Sequence, residues 1–172
     1  MMVSVLTLSL LCLAGLICVV GFYVFFKRQQ SSAAISERVC AMDIPEVTSP
    51  KLEIRIPVEW RHNKIEGPGF YVHSFVSPDG EGNVTAYIGH NPSIKKEVTS
   101  RKSMKRVGGK KVEFFAAVTD QTVISQAIIK GFFDKSGSNA ISTFVLHIMI
   151  IARESGFTKR AFKALDTVKI VK

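Results

Sequence analysis

Residues 3–26 form a run of 24 positions without one charged side chain, and this run constrains the chain more than any other feature. A helix rises about 1.5 Å per residue and a bilayer core is about 30 Å thick, so the run spans with some tilt. All 23 Lys and Arg and all 14 Asp and Glu fall from Lys27 onward. Phe22, Tyr23, Phe25 and Phe26 sit just before Lys27 and Arg28, where an interfacial aromatic belt would lie. A cleaved signal peptide is the competing reading. The run is longer than the usual apolar core of about 7–15 residues, and the first ten residues offer no basic segment. Leu11 and Ile17 precede Cys12 and Cys18, where lipid attachment would want a small residue. We therefore read 1–28 as an uncleaved transmembrane helix (a signal anchor) with a basic flank.

Residues 29–51 are rich in Ser, Ala and Pro without an apolar period, which reads as a flexible tether. The remainder, 52–172, is expected to be one globular domain carrying the net charge of +9. A chain of 172 residues allows one ordinary domain and excludes a large multidomain enzyme. Cys40 stands alone outside the anchor, so no intrachain disulfide framework is available there.

Periodicity supplies the elements. Leu52, Ile54 and Ile56 alternate with Glu53 and Arg55, a strand stopped by Pro57, and Trp60 follows on a short turn. Residues 70–76 and 84–88 are two strands joined by a loop of turn formers that includes Pro78, Gly80 and Gly82. Antiparallel pairing about Gly80 puts Phe70, Val72, Ser74, Val76, Val84, Ala86 and Ile88 on a core face. It leaves Tyr71, His73, Phe75, Thr85 and Tyr87 on the other, an aromatic surface with polar tips. Asn91 and Pro92 are expected to open a short helix bearing Ile94 and Val98. Gly108-Gly109 signals a tight hairpin between residues 103–107 and 110–118, with Val112, Phe114, Ala116 and Val118 on one side. The β-branched runs 122–133 and 140–152 predict a central hairpin buried on both faces. Thr158 is expected to cap a last helix, with Phe157 stapled on Phe162. Together these give an α+β fold, a mostly antiparallel sheet of about six strands flanked by helices.

Ile54-Arg55-Ile56-Pro57 followed by Trp60 resembles the opening of PsbP/Mog1/DcrB-type domains. The closing Phe157-Thr158, Phe162, Leu165 and Val168-Lys169-Ile170 is similar to the terminal helix and strand of that group. The resemblance covers about 52–172 on motifs of low specificity. It implies a six-stranded antiparallel sheet between helices and a non-catalytic assembly or accessory role, often on the outer side of a membrane. It carries over no binding residue.

The densest charge signal is 95–111, where Lys95, Lys96, Arg101, Lys102, Lys105, Arg106, Lys110 and Lys111 face only Glu97. Such a stripe suits acidic lipid headgroups, an acidic protein face or nucleic acid. It equally suits a solvated hairpin edge on which Lys prevents strand-on-strand association. No aromatic lies between His90 and Phe114 for base stacking, so nucleic acid ranks last. The four histidines, His62, His73, His90 and His147, lack metal-ligand spacing. His147 is expected to be a hydrogen-bonded core histidine near Gln126. Ser136-Gly137-Ser138 is a hairpin loop, not a nucleophile elbow. Gly108-Gly109-Lys110-Lys111 lacks the remainder of a P-loop. The expectation is a non-enzyme without metal or cofactor: a membrane-anchored protein-binding module, with anionic-lipid binding through 95–111 as the alternative and a hydrolase third. Lys27 and Arg28 favour a cytoplasmic domain by the positive-inside rule. Long C-terminal domains translocate regardless of charge, and the resemblance is to a mostly extracytoplasmic group, so the non-cytoplasmic side is expected.

Overall fold

The computed structural model describes residues 36–90, 92, 101–133 and 143–171. The expected anchor, the helix opened by Asn91 and the loop around Ser136 lie outside them. Among the described residues no helix is long and apolar enough to cross a membrane.

The described strands are β1 (Glu37–Ile44), β2 (Val47–Pro57), β3 (Arg61–Gly67), β4 (Phe70–Val76), β5 (Gly82–Gly89), β6 (Arg101–Val107), β7 (Lys110–Thr119), β8 (Thr122–Ile129), β9 (Val145–Ala152) and β10 (Lys169–Val171). One helix, α1 (Ser155–Asp166), precedes β10. All pairings are antiparallel, in a seven-stranded sheet ordered β3-β4-β5-β9-β8-β7-β6 and a three-stranded sheet ordered β1-β2-β10. The antiparallel sheet expected from the sequence is present. The architecture is mostly β, with two sheets and one described helix, and not the helix-flanked six-stranded α+β sheet.

One core joins both sheets and the helix. Cys40, Met42 and Ile44 of β1 and Leu52, Ile54 and Ile56 of β2 alternate inward. They meet Phe75, Val84, Ala86 and Ile88 of the large sheet, and Leu146, Ile148 and Ile150 of β9 at its centre. Phe157, Ala161, Ala164 and Leu165 of α1 complete it. The tether reading of 29–51 is therefore corrected from Glu37 onward. Cys40, Met42 and Ile44 have a period of two, and pairing with β2 satisfies their backbone.

Three further expectations are corrected. The β4–β5 hairpin turns at Ser77–Gly82: the Ser77 N–H donates to the Gly82 carbonyl at 3.0 Å and the Gly82 N–H to Ser77 Oγ at 3.0 Å. This sets Val76 opposite Asn83 and His73 opposite Ala86, one residue away from pairing about Gly80. A slip of one residue turns a strand over. The core face therefore combines Tyr71, His73 and Phe75 with Val84, Ala86 and Ile88, while Phe70, Val72 and Ser74 point outward with Thr85 and Tyr87. The helix starts at Ser155 after Glu154, not at a Thr158 cap. Phe157 packs on Trp60, and Phe162 meets Phe114 edge-on at 5.0 Å. The β8–β9 hairpin is central as expected, but buried through its inner face. The outward Ile124, Ile128, Met149 and Ile151 are only half-buried.

Candidate functional site

The basic stripe lands on the β6–β7 hairpin, and β6 is an edge of the large sheet. Gly108 and Gly109 have φ of 56° and 76°, the left-handed values a two-residue primed turn requires. Strand alternation then divides the charges. Arg101, Lys105 and Lys110 share the inner side with Val112 and Phe114, and Lys105 Nζ lies 5.1 Å above the Phe162 ring. Lys102, Arg106 and Lys111 share the outer side with Met104, Glu113 and Phe115. Lys95 and Lys96 lie outside the described residues.

Elsewhere among the described residues several charges are paired. Asp43 bridges Lys51 at 3.0 Å and Lys64 at 2.8 Å, Glu37 pairs Lys163 at 2.9 Å, and Glu53 pairs Lys169 at 3.0 Å. On the hairpin the acidic complement is Glu113 alone, 3.5 Å from Lys102. Outside the hairpin, described acidic and basic residues are equal in number, so the whole described excess of charge sits on this edge. Met104 protrudes between Lys102 and Arg106, 59% exposed. Met104 lies between Lys102 and Arg106 in the sequence itself, whereas Phe115 joins these cations only through the pairing register.

The expected aromatic surface does not assemble. Tyr87 faces outward, whereas Tyr71 and His73 belong to the inner face and His73 is completely buried. His73 is instead the middle of a hydrogen-bond chain. Its Nε2–H donates to the Asp43 carbonyl at 3.2 Å, which leaves Nδ1 to accept from His62 Nε2–H at 3.0 Å. Burial pushes the His73 pKa down to about 4 and also lowers that of His62. Hydrogen bonds from Lys64 and Lys51 hold the Asp43 carboxyl below its usual range. The chain ties the small sheet's first turn to the β3–β4 edge. Burial raises the Cys40 thiol, which keeps it protonated and unreactive.

A cavity of about 530 Å³ opens on the outer face of the large sheet, bordered by Gly69, Phe70, Thr85, Tyr87, His147 and Met149. Phe70 and Tyr87 stack with ring centroids 5.5 Å apart. His147 lies opposite Ile128, and Gln126 opposite Met149. The expectation of a hydrogen-bonded His147 is corrected at one nitrogen: Nε2 is buried without a partner. Burial lowers its pKa. Among the described residues no cluster of three or more His, Cys, Asp or Glu could hold a metal ion.

No family model matches this chain, and neither a curated protein nor a solved structure does.

Proposed function

We propose that the chain is a membrane-anchored, non-catalytic protein-binding module that docks an acidic partner protein through the outer side of the β6–β7 hairpin. The observation that carries this reading is the separation of charge: acidic and basic residues balance in number over the rest of the described domain, and the excess sits on one edge. Met, Arg and aromatic side chains are the types enriched in interface cores, and Met104, Arg106 and Phe115 stand together there. Residues 3–26 would hold the domain at a membrane on its non-cytoplasmic side, as an envelope assembly or accessory factor or as an inhibitor or immunity-type protein. Basic residues steer encounter with an acidic face at long range.

One feature favours a second reading. Met104 flanked by Lys102 and Arg106 also suits an anionic bilayer, where each basic residue contributes about 1 kcal/mol. A photo-crosslinking residue at position 104 of the full chain, activated in cells, separates the two. One acidic protein captured at high yield, and lost in the Lys102→Glu/Arg106→Glu variant, supports the module. Capture of lipid alone supports the second reading. No charge-dependent adduct overturns both.

A further inference from the structure

We infer that the outer-face cavity is a binding site for a flat apolar molecule carrying a single carboxylate, whose acid group meets Tyr87, Thr85 and His147. This site is separate from the β6–β7 hairpin and does not rest on the docking role proposed for it. Its volume, about 530 Å³, falls within the roughly 300–1,000 Å³ of small-molecule pockets. The walls are apolar and adaptable: the stacked rings of Phe70 and Tyr87, with Val72 and Met149. Gly89 keeps this arrangement open, since a Cβ there would lie 2.7 Å from the Tyr87 hydroxyl and 2.8 Å from Phe70 Cβ. The aromatic wall is therefore built into the backbone and is present before any ligand arrives.

Polar groups define the class. Strand pairing sets Thr85 opposite Met149 and Tyr87 opposite His147, which brings two hydroxyls and an imidazole to one patch of the sheet. Neither hydroxyl makes a hydrogen bond among the described residues. His147 is only 8% exposed and its Nε2 has no partner. A buried polar atom left in that state is costly to the fold. Among the described residues no Asp or Glu borders the cavity, so a cation finds no counter-charge from them. Among the described residues no Lys or Arg borders it either, so these residues offer a phosphate dianion no charged fork. One negative charge received by O–H and N–H donors fits both exclusions. His147 and His90 are the two described imidazoles that border the cavity; burial keeps His147 neutral, and an anion beside its ring favours the protonated form, so ligand and proton bind together.

The test uses the full chain in lipid nanodiscs, with 2-naphthoate as probe, followed through the His147 Cε1–H signal by NMR. A saturable, one-site shift is expected, about tenfold tighter at pH 6 than at pH 8. 2-Naphthylmethylammonium should leave that signal in place. Tyr87→Phe keeps the ring stack and loses the hydroxyl, so it should weaken binding about fivefold or more. Met149→Trp fills the cavity and should abolish binding while the chain keeps its native spectrum. If Met149→Trp does not fold, Tyr87→Phe and the charge-reversed probe still decide. The inference is overturned by partitioning no greater than into empty nanodiscs, by equal binding of the cation, by a pH-independent affinity, or by unchanged binding in Tyr87→Phe.

Discussion

A Cβ on Gly82 would fall 2.2 Å from the ring of Phe157, so α1 reaches the large sheet through a contact that only glycine permits. On its other side the Phe157 ring stacks on Trp60, with centroids 4.8 Å apart and planes 21° from parallel. This sandwich links the end of β2, the start of β5 and the first turn of the helix. Phe157→Ala should cost about 3–5 kcal/mol and Gly82→Ala about 1–3 kcal/mol by overpacking. In the double variant the alanine at 82 fills space that the ring has left, so the two costs should fall well short of additive. Urea denaturation of the four proteins reads this coupling. Strict additivity would show that Phe157 does not occupy the groove over Gly82.

The His62–His73 chain predicts acid sensitivity. An unfolded histidine titrates near 6.5, whereas burial holds His73 down to about 4. The unfolded chain therefore binds a proton that the folded one refuses, and stability present above about pH 6.5 is lost as pH falls toward 4. The contribution is on the order of 3 kcal/mol at full expression. Asp43, whose pKa is also lowered, acts in the same direction at still lower pH. His73→Gln keeps a donor and an acceptor without the titration. Its urea midpoint should start lower at pH 7.5 and fall less steeply between pH 6.5 and 4.5. A slope equal to that of the wild type would remove His73 as the cause.

Some of this architecture was legible and some was not, for identifiable reasons. Strands β2, β5 and β9 and the Gly108-Gly109 turn were readable because apolar alternation and turn chemistry agreed there. β3 carried no apolar period at all: its one large aliphatic residue, Ile65, is 61% exposed, and the strand forms through pairing with β4. β1 did alternate, but its Ser- and Pro-rich flanks masked it. The face of β4 depended on whether Ser77 pairs across the turn, which alternation cannot encode because both faces of that strand are aromatic. The basic stripe was legible as charge. Its division into a packed side and a presented side came only from register, and so did the convergence of Tyr87, Thr85 and His147.

The hairpin turn predicts a contrast between adjacent glycines. Both occupy left-handed φ, but a Cβ on Gly108 would lie 2.5 Å from the Val168 carbonyl oxygen, whereas Gly109 has open space around it. The Gly108 N–H also donates to the Leu165 carbonyl at 3.0 Å, fastening the hairpin to the end of α1. Gly109→Asn should be nearly neutral, because Asn tolerates the left-handed region. Gly108→Asn should cost about 1–3 kcal/mol, because the same region is then combined with a backbone clash. Thermal unfolding of the two variants separates them. Equal losses would mean that the Val168 contact relaxes freely.

The two sides of the basic hairpin should respond differently to substitution. On the inner side, Lys105 lays its stem toward Phe162, with its ammonium 5.1 Å above the ring. A cation over an aromatic ring contributes about 0.5–1 kcal/mol at such exposed positions. Lys105→Ala should therefore lower stability by roughly that amount, and its effect on partner capture at Met104 should be small. On the outer side, Lys102 lies 5.3 Å above the Phe115 ring and 3.5 Å from Glu113, so its reversal should cost about 0.5–1 kcal/mol, whereas reversing Arg106 and Lys111 should leave stability within about 0.5 kcal/mol. Their reversal should instead weaken capture strongly and flatten its dependence on salt, because the screened charges are then gone. Denaturation midpoints and crosslinking yields measured between low and high salt provide both readouts on the same proteins. If Lys105→Ala abolishes capture while the outer reversals leave it intact, the docking side has been assigned to the wrong face of the sheet.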